Sequence, residues 1–184
     1  MSSPGYNIDT YPKWVTETVL IAAPDPAWPG KAAREIGDLS RLLAGIPVQA
    51  FEHIGSTSVP GVPAKPIIDI VAEVPDFDNP TMETIAQRLR PAGWHFTPPG
   101  LDARPYRRFF IKVVDDARAV HLQLLLPGSP QRTDQVRFRN LLRTSAQLRA
   151  DYAALKRQLA AQHTQDREAY THAKTSFVKN ALST

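Results

Sequence analysis

The stretch EHIGSTSVPGVPAKPIIDI, residues 52–70, decides how this sequence is read. A strand ends at Ile54 and breaks at Gly55, a residue that lets backbone approach a ligand closely. Ser56, Thr57 and Ser58 follow, offering hydroxyls and backbone N–H groups, and a turn rich in N–H groups forms an anion nest. Lys65 adds positive charge. The next strand carries Asp69 among isoleucines and valines, where a carboxylate is costly unless it is paired, hydrogen-bonded or bound to a cation. A phosphate-binding turn and a metal-binding carboxylate on the following strand form the layout of nucleotidyl or phosphoryl transfer. The plainer reading makes the turn ordinary and Asp69 a structural acceptor. Turn and buried acid together weigh for a site.

Outward from this segment, the sequence alternates strand and helix signals. Pro66 to Val74 is a nearly continuous apolar run, as in a strand buried on both faces, and Val48 to Ile54 is the strand before it. Asp25-Pro26, Asn79-Pro80 and Ser129-Pro130 read as three helix starts, with Gly45 and Gly93 closing the first two helices. Arg107–Val114 and Ala119–Leu126 read as an antiparallel pair joined by Asp115-Asp116, with Pro98-Pro99-Gly100 as an exposed loop before them. Thr16–Ala22 is apolar and β-branched enough for a further strand. From residue 131 to 184 the pattern is helical. Leu148, Tyr152, Leu155 and Leu159 form one stripe, and Ala169, Ala173, Phe177 and Ala181 form another beyond a break near His163. The expected fold is α/β (α+β), a mixed sheet with flanking helices and a C-terminal helical segment. An irregular arm (1–15) precedes a single domain (16–184).

Composition narrows the function classes. The 184 residues contain no cysteine, which excludes thiolate metal sites, disulfides and cysteine nucleophiles. No apolar run approaches the ~20 residues that span a bilayer, and the N-terminal residues lack a secretory pattern. A cytoplasmic protein without a membrane partner is expected. The net charge of +4 is spread along the chain with no Lys/Arg tract, which argues against nucleic acid and fits a small phosphorylated ligand as well as a plain basic surface.

Other residues draw attention singly or in pairs. His53, at the strand end, is a candidate acid–base or phosphate-contacting group, while its neighbour Glu52 points the other way and suits an ion pair. His121 and Gln123 share a strand face and would flank Asp69 if their strands adjoin. Arg104, Arg107 and Arg108 surround a proline-rich loop and could clamp an anion. Tyr152 and Lys156 are spaced i,i+4 on one helix, as are Tyr170 and Lys174 on the next, so each pair could aim a phenol and an ammonium into a cleft.

The same 52–70 segment resembles the signature of the GrpB family, of the nucleotidyltransferase (DNA-polymerase-β-like) superfamily. The resemblance continues through Asp25-Pro26, Trp28, Arg108-Phe109-Phe110, Pro127-Gly128-Ser129, Phe138-Arg139, Tyr152 to Lys156, Asp166-Arg167, Tyr170 and Lys174. It implies that Gly55 and Ser56 bind the phosphates of ATP or another nucleotide, and that carboxylates hold Mg²⁺ or Mn²⁺. This chain keeps Asp69, but Val71 stands where the second acid belongs, with Glu73 one step further along the same face. The later strand, often His-x-His in the family, reads His121-Leu122-Gln123, and Asn140 replaces an Asp. Asp69 with His121 can hold a single ion or none. The resemblance thus implies nucleotidyl transfer to a small acceptor. GrpB-type domains are also similar to units fused to dephospho-CoA kinase, which hints at an adenylated ligand. Two alternatives stay open: a degenerate nucleotide-binding or interaction module, and a pocket reused for another reaction in a specialised biosynthetic pathway.

Overall fold

Helix α1 (Trp28–Leu42) begins where Asp25 turns the chain: its carboxylate accepts the Ala27 N–H at 2.8 Å, and Pro29, rather than Pro26, lies in the first helical turn. Strand β1 (Gln49–Ile54), a single 3-10 turn (Ser56–Ser58) and strand β2 (Ile68–Glu73) follow. Helix α2 (Asn79–Leu89) is capped by Asp78, which accepts the Thr81 N–H at 2.8 Å. The start signal at Asn79-Pro80 is therefore displaced by one residue. After a 3-10 turn at Arg90–Ala92 come strand β3 (Trp94–Thr97) and a one-turn helix α3 (Pro99–Asp102). Pro98-Pro99-Gly100 thus opens a helical turn instead of a loop, since Pro suits the first helical position. Strands β4 (Arg107–Val114) and β5 (Ala117–Leu125) form a hairpin through Asp115 and Asp116, both at positive φ, as a two-residue hairpin turn requires. Helices α4 (Pro130–Thr144), α5 (Ala146–Gln162) and α6 (Thr175–Ser183) follow.

This computed structural model describes residues 14, 20–162, 169 and 172–183. Most of the expected strand at Thr16–Ala22 lies outside them, as do the helix break near His163 and Tyr170. Within the described part of that strand, Ala22 makes an isolated antiparallel bridge to Ala64.

The sheet is mixed, in the order β1-β2-β5-β4-β3, with β2 and β5 parallel and the other pairs antiparallel. Strand alternation gives it two unlike faces. Ile68, Ile70, Ala72, Phe110, Leu122 and Leu124 face α1 and α2 and join Trp28, Leu39, Ile85 and Leu89 in the main core. Each such fully buried Leu or Ile contributes about 1.5–3 kcal/mol over exposure. The other face carries Asp69, His121, Gln123, Arg107 and Phe109, and α4, α5 and the segment leading into α6 lie over it. A second core of Val59, Val62, Leu142 and Tyr152, joined by Phe138 and Phe177, ties the loop after the Gly-Ser turn to these helices.

Candidate functional site

Parallel pairing of β2 with β5 sets Asp69 beside His121 and Val71 beside Gln123, with Leu122 turned into the core. His121 Nδ1 lies 3.0 Å from Asp69 Oδ1, and the imidazole meets the Phe109 ring edge-on at 5.0 Å. Burial alone would raise the Asp69 carboxyl. The His121 hydrogen bond, together with the charges of His121, Lys174 and His53, outweighs it and holds the group below its ordinary range. Gln123 accepts from the Gln135 amide of α4 at 3.0 Å.

Gly55 backs this carboxylate. Its φ of 71° and ψ of −172° belong to glycine, and a Cβ there would lie 2.5 Å from Asp69 Oδ2. The turn that follows is more self-satisfied than an open anion nest. Ser58 and Val59 give their N–H groups to the Gly55 and Ser56 carbonyls, and the Ser58 hydroxyl donates back to Gly55 O at 2.6 Å. Ser58 is thereby buried away from the cavity, while Ser56 and Thr57 line it. The Thr57 hydroxyl already bonds His53 Nε2 at 3.0 Å and donates to Ile67 O at 3.3 Å.

The cavity, about 360 Å³, spans from this turn to β4. Lys65, Lys156, Lys174, Arg104, Arg107 and Arg118 line it. Lys156 is 2% exposed and donates to Pro63 O at 2.6 Å. Burial first, then the repulsion of Lys174, lowers its ammonium to about 7 against the pull of Asp69, with Lys65 adding to the repulsion. Lys174 is lowered to about 8 by burial, again opposed by Asp69. Tyr152 sits beneath, hydrogen-bonded to Ser56 and packed on Phe138 and Phe177; burial pushes its phenol up to about 12, with Asp69 adding to the rise and Ser56 opposing it. Arg107 is held by Asp102 through paired contacts of 2.8 and 2.6 Å and stacks over Phe109 at 4.1 Å.

Four expectations need correction. Arg108 does not join Arg107: alternation puts it on the opposite sheet face, over the Phe77 ring at 4.2 Å. Glu73 does not reach the cavity, since it lies ~13 Å beyond Asp69 along the strand and pairs with Arg132 at 3.3 Å. His53 does not line the cavity either. Its register partner is Ile70 of the core face, and burial, aided by Arg143 and Arg139, lowers its imidazole to about 4 although Asp69 opposes this. It is His53, not Glu52, that turns from the Asp69 face, and Glu52 pairs there with Arg132 and Arg139 at 2.7 and 2.8 Å. Tyr170 lies outside the described residues.

Several lining residues escape a sequence reading, among them Tyr106, Phe109, Gln135 and Arg118. Gln135 arrives by packing of α4. Arg118 arrives by a bulge: Lys112 pairs with Val120 but Val113 with Arg118, so one extra residue, Ala119, returns Arg118 to the Asp69 face.

The donors among the described residues do not make a divalent-cation site. Among the described residues, no three His, Asp or Glu side chains gather. Val71 is fully buried with Ile54 and Leu125, and ammonium groups stand near Asp69. Mg²⁺ and Mn²⁺ favour octahedral oxygen coordination, and this set supplies one carboxylate and one imidazole.

Comparison with known proteins agrees with this architecture. A family model described as GrpB protein matches residues 18–184. The UPF0157 protein YqkA of Bacillus subtilis is 32% identical over 171 residues, covering 93% of this chain and 47% of YqkA, so the chain spans about half that relative's length. The crystal structure of GrpB from Enterococcus faecalis superposes with a TM-score of 0.75 at 28% identity, covering 89% of this chain and 98% of that one. The Cid1 poly(U) polymerase, in a structure with Mg and 3′-dATP bound, gives a TM-score of 0.56 at 13% identity, covering 83% of this chain and 49% of that one. The likeness to Cid1 shows a nucleotidyltransferase-type fold. Among the described residues, no helix is long and apolar enough to cross a membrane.

Proposed function

The chain belongs to the GrpB family, and we propose that it binds a phosphorylated, nucleotide-type ligand in the cavity over Asp69, with nucleotidyl transfer to a small acceptor as its reaction. The observation that carries this reading is the charge of the cavity: Lys65, Lys156, Lys174, Arg104, Arg107 and Arg118 line it together with Asp69. Asp102 answers Arg104 and Arg107 from beside the cavity and Asp69 faces the lysines, yet the cations still outnumber the carboxylates, which favours an anionic guest, and bonds from ammonium or guanidinium to phosphate are the strong, charge-assisted kind. Ser56 adds a hydroxyl at the turn. In transfer, an acceptor oxygen bonds to the α-phosphorus as the bond to the departing pyrophosphate breaks, and the Asp69–His121 pair receives the acceptor's proton.

A thermal-shift screen of ATP, ADP, pyrophosphate and coenzyme A tests the binding, because a ligand selective for the folded state raises the melting temperature by mass action. No shift with any of them would end the reading. Val71, buried where a second acid belongs, favours a second reading, a binding module without transfer. Asp69→Asn separates the two. In an enzyme it spares ligand affinity and removes turnover, since catalysis rewards interactions made in the transition state, while Ser56→Ala weakens binding and rate together. In a module, no nucleotide is turned over by the unmodified protein either.

A further inference from the structure

We propose that the cavity takes its phosphate-bearing ligand as the metal-free anion, with the ammonium groups of Lys156 and Lys174 supplying the charge that a divalent cation would otherwise bring. This rests on the preceding reading of the cavity as a phosphoryl site and adds how the charge is balanced.

Three observations carry it. First, the face that should hold a metal is short of donors. Val71 is buried in a hydrophobic cluster with Ile54 and Leu125, and Glu73 is engaged by Arg132. Second, the space facing Asp69 is occupied by cations. Lys156 comes from α5, 2% exposed, with its ammonium fixed on the Pro63 carbonyl at 2.6 Å. Lys174 comes from the residue before α6, and Lys65 from the loop before β2. Third, these lysines repel one another, Lys156 feeling both Lys174 and Lys65, with Asp69 as the attraction opposing them. An arrangement of like charges, with Lys156 buried and Lys65 and Lys174 half-buried, is costly by itself. It becomes favourable when a di- or trianion lies among them, and a bound divalent cation would restore the repulsion the anion relieves.

The consequence has an unusual sign. Mg²⁺ binds diphosphates in solution and lowers their charge, so it competes with the protein for the ligand instead of assisting it.

The test is calorimetric titration of the full chain with ADP and with pyrophosphate, once in EDTA and once with excess Mg²⁺. Binding is expected in EDTA, severalfold weaker with Mg²⁺. Lys156→Gln and Lys174→Gln are each expected to weaken it in EDTA by about tenfold or more. Circular dichroism and melting report whether each variant folds. If the buried Lys156→Gln does not, Lys174→Gln and the Mg²⁺ comparison decide. Binding that requires or tightens with Mg²⁺, or a folded Lys174→Gln protein that binds as the unmodified one does, would overturn the metal-free assignment and leave the phosphoryl site standing. Absence of binding in both buffers would instead overturn the phosphoryl reading, and this inference with it.

Discussion

Gly55 and Asp69 belong to one structural decision. The positive φ of Gly55 lets the chain leave β1 directly behind the Asp69 carboxylate, and no side chain fits between them. Gly55→Ala is therefore expected to cost about 1–3 kcal/mol from backbone strain alone. It also pushes the carboxylate off His121. Chemical denaturation measures the loss, and the His121 ring resonances in NMR report the broken contact. An unchanged His121 environment would show that the carboxylate is not wedged against Gly55. Much at this scale was legible. The glycine turn set against a buried-strand acid was legible from the residue types alone, and a period of two puts His121 and Gln123 on one face. The same rule separates adjacent Arg107 and Arg108 onto opposite faces. The inward turn of Ser58 was not legible, because it depends on a hydroxyl choosing Gly55 O over the cavity.

Among the elements, α6 has little burial of its own and follows directly on a residue of the cavity. Ala181 is its buried residue, and Phe177 anchors it by stacking on Tyr152 at 5.4 Å and meeting Phe138 edge-on. The chain enters α6 at Lys174, whose carbonyl accepts the Val178 N–H at 3.1 Å, so the anchor Phe177 follows Lys174 at i+3 spacing, about one turn along. Phe177→Ala is expected to destabilise the protein by about 2–3 kcal/mol, less than a fully buried Phe loses because the ring is partly exposed. It should weaken ADP binding by about tenfold through Lys174. Far-UV dichroism that keeps the strand signal distinguishes release of α6 from global unfolding. Unaltered ADP affinity would mean that α6 does not hold Lys174 in place. The stripe Leu148, Tyr152, Leu155 and Leu159 announces α5 in the sequence. The bulge at Ala119 has no such announcement, since it arises only when β4 and β5 pair.

For the molecule as a whole, the lysine cluster fixes how stability responds to pH. Lys156 and Lys174 titrate at about 7 and about 8 in the folded state, below their ordinary 10.5. Between those values the unfolded chain binds more protons, so stability rises with pH across that window. Tyr152, pushed to about 12 from 10.0, works oppositely above pH 10, where the folded state holds the extra proton. Urea midpoints at pH 7, 8, 9 and 10 should climb, and Lys174→Gln should flatten the climb; a fall over this range would contradict the electrostatics assigned to the cavity. The most direct test of the cavity as an anion site is the proton count of ligand binding, obtained by titrating ADP calorimetrically at pH 8 in two buffers of different ionisation enthalpy. An anion among these lysines raises their affinity for protons, so binding must draw protons from the buffer. The predicted result is net uptake approaching about one proton or more per ADP, reduced in Lys174→Gln. Binding with no proton exchange, or with proton release, would contradict the account.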